Sequence, residues 1–95
     1  MQNISVTSTQ DGDFNIKIEG ISENDKNHVF DFLSTDFINK LKITNGDGNL
    51  YNITIEKLSI KDLENISNLI PIDKEKPVPF IISYFGLVLD VELRK

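Results

Sequence analysis

The chain has 95 residues, no cysteine, one histidine and a formal net charge of −5. That length makes a single domain, residues 1–95, with a core of its own. Lack of Cys excludes a disulfide framework, a thiolate zinc site and a cysteine nucleophile.

No apolar run is long enough for a membrane span, and the first residues lack the basic start and apolar centre of a signal peptide. The expected setting is therefore cytoplasmic. Ile occurs 14 times, Asn 10 and Lys 9, while Arg occurs once and Ala never. Folding gives no reason to avoid Ala, the best helix former. Codons rich in A and T do, and they point to a low-GC bacterium or one of its mobile elements. The same bias makes the sequons at Asn3, Asn52 and Asn65 uninformative about glycosylation.

In chain order, Ile4 and Val6 alternate with polar residues. A Gly-containing break follows, and Phe14, Ile16 and Ile18 resume the alternation. Two such runs predict a hairpin with strands near 3–8 and 13–19. Ser22 is a helix N-cap by type, with Glu23 and Asp25 suited to the positive end of the helix dipole. A helix is expected over about 23–40, with Val29, Phe30, Leu33, Phe37 and Leu41 as its apolar stripe and Phe32 and Ile38 off it. A break near Ser34 is the alternative. It would let Phe32 roll into the core, whereas a continuous helix leaves that ring as an aromatic anchor in an acidic surround.

A short strand at Lys40–Thr44 precedes the turn formers Asn45-Gly46-Asp47-Gly48-Asn49, and Tyr51, Ile53 and Ile55 alternate beyond them. Asn45, Asp47, Asn49 and Glu56 partly match a calcium loop. However, the first ligand is Asn, the sixth position is Leu50 in place of Gly, and strands flank it, so a hairpin turn is expected. The second helix opens with Ser59 as cap, Asp62 at the capping-box position and Leu58 placed to staple on Leu63. Leu63, Ile66, Leu69 and Ile70 supply its stripe, and Pro71 stops it. Residues 71–79 read as an extended surface loop.

The last stretch, Val78 to Leu93, is the most apolar. Beyond Gly86, the residues Leu87, Leu89, Val91 and Leu93 alternate with Asp90 and Glu92, which predicts one long strand kinked at Gly86. The expected fold class is α+β: a mainly antiparallel sheet of about five strands, two helices packed on one face, in the order β-β-α-β-β-α-β. The chain shows no internal repeat, low-complexity tract or second domain.

Candidate chemistry is sparse. His28 lies beside Asp25 and Asp31 without a nucleophile to serve, and reads as a surface histidine. No phosphate-binding glycine loop or metalloprotease motif occurs, so neither cofactor nor metal is expected. What stands out is charge placement. From Asp11 to Asp36 run seven acids and two lysines, net −5, and the remainder sums to zero. Nucleic acid is a poor ligand for such a surface. A basic protein, such as a nuclease or another nucleic-acid-binding protein, is a good one.

The expected function is therefore a non-enzymatic protein-binding inhibitor. Asp11, Asp13, Glu23, Asp25, Asp31, Phe32 and Asp36 are its candidate partner-binding residues. Small size, acidity and coding bias are shared with immunity proteins against nuclease toxins, antitoxins and phage-encoded anti-defence proteins. The rival readings are an assembly module that forms a homodimer through an exposed strand edge and, last, a small enzyme using Asp11 and Asp13.

Overall fold

Every strand of the sheet presents an alternate run of branched apolar residues to one side, and that side is where the helices lie. A computed structural model describes residues 3–70 and 78–94, apart from the side chains of 34–36. The elements are β1 (Asn3–Ser8), β2 (Phe14–Ile21), α1 (Glu23–Phe37), β3 (Leu41–Asn45), β4 (Tyr51–Leu58), α2 (Ile60–Leu69) and α3 (Phe80–Leu93). The strands form one antiparallel sheet in the order β1-β2-β4-β3. Two apolar rows cross its inner face, Ile4–Ile18–Ile53–Ile43 and Val6–Ile16–Ile55–Leu41. Ile4, Ile16, Ile18, Ile53 and Ile55 are buried, and the helices add Val29, Leu33, Phe37, Leu63, Ile66, Ile81, Ile82, Phe85 and Leu89 to the same core. Each fully buried side chain of this size is worth about 1.5–3 kcal/mol.

The expected α+β class and both hairpins are present, but the sheet has four strands and the helices number three among the described residues. The difference is the last stretch, which is a helix and not a kinked strand. Its alternation beyond Gly86 hid a second period: Ile81, Ile82, Phe85 and Leu89 recur at helical spacing, and all four are buried. β-branched residues favour strands only where a pleated neighbour is available to pack on. Gly86 matters for a different reason from the one expected. A Cβ there would stand 3.1 Å from the Ile70 Cδ1 and 3.3 Å from its Cγ2. Its bareness lets α3 close onto the end of α2.

Both predicted caps form. The Ser22 Oγ accepts from the Asp25 N–H at 3.2 Å. At α2, the Ser59 Oγ accepts from the Asp62 N–H at 3.1 Å, and the Asp62 carboxylate accepts from the Ser59 N–H at 2.9 Å, a complete capping box. α1 is continuous through Phe37, with no break at Ser34. Phe32 nonetheless packs against the core, half-buried. Leu41, which belongs to β3, had drawn the expected stripe away from it. Without Leu41 the stripe runs from Phe32 through Val29 and Leu33 to Phe37, about 140° of the helical wheel at 100° per residue. The predicted loop 71–79 lies largely outside the described residues.

Contrary to the sequence reading, the chain does contain a repeat. At an offset of 37 residues, Phe14–Val29 matches Tyr51–Ile66, with Asn15/Asn52, Ile16/Ile53, Ile18/Ile55, Glu19/Glu56, Ser22/Ser59 and Asp25/Asp62 identical. The strand pairing obeys the same rule. Ile16↔Ile55 maps onto Ile53↔Ile18, Phe14↔Leu58 onto Tyr51↔Ile21, and Val6↔Ile16 onto Ile43↔Ile53. An approximate two-fold axis thus passes through the Lys17↔Thr54 pair, relating β1-β2-α1 to β3-β4-α2. Reciprocal hydrogen bonds lock the halves together: the Gly20 N–H donates to the Asn52 Oδ1 and the Lys57 N–H to the Asn15 Oδ1, each at 3.1 Å. Both donors sit at positive φ, 68° for Gly20 and 61° for Lys57, two residues before the respective cap serine. The two asparagines therefore hold equivalent kinks at which each strand turns into its helix.

Candidate functional site

The acidic segment is divided by the fold. β2 runs from Phe14 to Ile21, roughly 25 Å at strand rise, so Asp11 and Asp13 lie at one end of the sheet and Glu23 and Asp25 at the other. In the hairpin loop the Thr9 Oγ1 accepts from the Asp13 N–H at 3.2 Å, and Asp11 is exposed. Asp31 is exposed farther along α1, Phe32 packs on the core, and the Asp36 side chain lies outside the described residues. The candidate residues whose side chains are described thus do not make one surface.

A smaller group does converge, where β2 turns into α1. Gly20 and Ile21 carry the chain out of the sheet, and the buried Ile21 anchors the turn. Ser22 then starts the helix, which places Glu23 and Asp25 on its first turn. Opposite lies the tight turn between β3 and β4, closed by the Gly46 N–H donating to the Leu50 carbonyl at 2.8 Å. One cleft beside this turn is lined by Ser22, Glu23, Asn45, Asn49 and Tyr51, and a second by Glu19, Gly20, Asp47 and Asn52. Leu50 borders both.

Glu19, Glu23, Asp25 and Asp47 are the acids of residues 17–28 and 42–53, and Lys17, Lys26 and Lys42 are the lysines of those stretches. Lys26 stands at the first cleft itself, on its lining residue Tyr51. Its Nζ lies 4.4 Å from the centroid of the Tyr51 ring, a cation–π contact that holds the ammonium against the aromatic face. Glu19 is within 4.0 Å of Lys17, with both side chains largely in solvent, where such a pair contributes little. Glu19, Glu23 and Asp47 thus rim a pair of shallow clefts with carboxylates, beside which Lys26 and Lys17 also stand. Asp47 escaped the sequence reading because it was assigned only to its turn. The hairpin register that brings the turn beside Glu19 is the signal that would have found it.

At the opposite end of β4, charge is neutralised internally. The Lys40 Nζ donates to the Asp62 Oδ2 at 3.3 Å and to the Lys57 carbonyl at 3.0 Å. The Asp62 carboxyl is held below its ordinary range, chiefly by the hydrogen bond from the Ser59 N–H. Partial burial opposes that shift and Lys40 reinforces it. His28 is half-buried and less of a surface residue than expected, with its Nδ1 enclosed and lacking a hydrogen-bond partner. Among the described residues, no three His, Asp or Glu side chains gather as metal ligands, and no helix is long and apolar enough to cross a membrane. Comparisons with protein families, characterised proteins and solved structures find no match to this chain.

Proposed function

We propose that the protein is a non-enzymatic inhibitor that binds a basic partner protein through the end built by Glu19, Glu23, Asp25 and Asp47. The supporting observation is the three carboxylates, Glu19, Glu23 and Asp47, that line the clefts beside the β3–β4 turn, with Asp25 on the adjoining first turn of α1. Clustered charge of one sign steers an oppositely charged protein into encounter and rejects acidic competitors, nucleic acid included. Partners of matching chemistry are nucleases and nucleic-acid-binding proteins, whose own ligand is polyanionic. An acidic protein seated on such a surface occludes it.

The test is association with a panel of basic nucleases and nucleic-acid-binding proteins, followed by biolayer interferometry at low and physiological salt. Reversal of Glu19, Glu23 and Asp47 to Lys is expected to slow association about 10-fold or more and flatten its salt dependence. An equal reversal of Asp31, Glu64 and Asp90, all exposed elsewhere, is expected to change it less than about twofold. Equal effects of the two sets would mean that only net charge matters, and failure of every basic partner to bind would end the reading.

A further inference from the structure

The outer flank of the molecule carries a surface unlike its acidic ends. β1 is an edge strand, and its sequence Asn-Ile-Ser-Val-Thr-Ser contains no charge and no proline. Its pairing with β2 runs without a shift from Asn3↔Glu19 to Ser8↔Phe14. It therefore lacks the lysines, prolines and bulges that commonly protect strand edges. The other edge, β3, carries Lys42.

α3 packs over β1, and a groove of about 430 Å³ lies between them, lined by apolar side chains of both elements such as Ile4, Val6, Leu87 and Val91, with Ser5 and Glu92 as its polar members. α3 is apolar on its outer side as well. Phe80, Leu87 and Val91 are 74%, 65% and 62% exposed, and Tyr84 stacks on Phe80 with ring centroids 6.2 Å apart. At spacings of four, three and four, these residues make a straight stripe down the helix.

We infer that this flank is a homodimer interface, in which β1 pairs antiparallel with β1 of a second copy and the α3 stripes pack across the two-fold axis. Three features select a second copy as the occupant. An edge strand paired antiparallel with itself is isologous, the contact that closes a dimer, and the chain already joins its own two repeats by such a pairing, β2 with β4. The stripe also needs an apolar counterpart, which an identical stripe supplies. Phe80, Leu87 and Val91 are all largely exposed, and with the unpaired edge of β1 they extend the contact along both elements, as the about 800 Å² per partner of a standard interface requires. Finally, each copy is acidic, yet the acidic clefts lie at the end of the sheet, and Glu92 is the one charged residue lining the groove of this flank.

Sedimentation velocity of the full chain, from about 1 to 100 µM, tests this. A concentration-dependent dimer is expected. Leu87→Lys combined with Val91→Lys should weaken it at least about 10-fold, as should Ser5→Lys, which sets like charges facing across the edge. Ile43→Lys on the opposite edge should leave it intact, and circular dichroism with urea midpoints will confirm that each variant is folded. A monomer throughout would overturn the proposal and leave the flank to a different protein. So would a dimer that survives the α3 changes, or one that dissociates with Ile43→Lys.

Discussion

Lys57 offers the sharpest perturbation, because its repeat equivalent has already been solved differently by the same chain. Gly20 and Lys57 occupy the same kink at φ 68° and 61°, and the left-handed region costs a residue with a Cβ about 1–2 kcal/mol. Replacing Lys57 by Gly removes that strain. Against it stands the greater freedom of glycine in the unfolded chain, about 0.4–1 kcal/mol. Lys57's hydrogen bonds survive the change, since its N–H serves Asn15 and its carbonyl serves Lys40, both through backbone atoms, and its side chain is exposed. The balance is a net stabilisation of about 0.5–1 kcal/mol. Gly20→Ala carries the opposite sign and should cost about 1 kcal/mol or more. Urea denaturation at neutral pH measures both as shifts in midpoint at constant slope. If Lys57→Gly lowered the midpoint, or Gly20→Ala raised it, the two kinks would not be equivalent and the reasoning would fail.

Asp62→Asn is expected to remove part of the acid sensitivity of the fold. The folded pKa of Asp62 lies below its unfolded value, so the stability it contributes is complete above about pH 4 and is lost as pH falls through the folded value. The gap in stability between wild type and variant should therefore narrow with acidification; a gap independent of pH refutes the capping-box role of the charge. Phe32→Ala should cost about 2 kcal/mol, less than the 3–5 kcal/mol of a fully buried ring because the residue is half-buried. A loss below about 0.5 kcal/mol, the level of a surface change, would show that the ring does not contribute to the core.

Elements whose chemistry is local were legible from the sequence. The hairpins follow from alternation about Gly-rich turns, and both helix starts follow from Ser22 and Ser59. α3 was misread because Ile, Val and Phe at 78–93 satisfy a strand pattern and a helix pattern at once. What separates them is tertiary: where Ile81, Phe85 and Leu89 find a surface to cover. The charge of the acidic segment is legible in the sequence but its position is not, since a strand of eight residues carries Asp13 and Glu23 to opposite ends. The repeat escaped because its identities are scattered over a strand, a kink and a cap. Only the pairing register shows that Asn15 and Asn52 do the same task.

A chain holding two near-copies of one strand faces a problem of identity while it folds. β2 and β4 share Asn, Ile, Ile and Glu at matching positions, so β2 of one nascent molecule is nearly as good a partner for β2 of another as its own β4 is. The axis position answers this, for there the copies differ: Lys17 in β2 and Thr54 in β4. Two β2 strands aligned in the native register would set Lys17 opposite Lys17, which like charges disfavour, whereas the correct partner offers a neutral threonine. The charge at the centre of symmetry thus favours the pairing of a first half with a second half over its pairing with another first half.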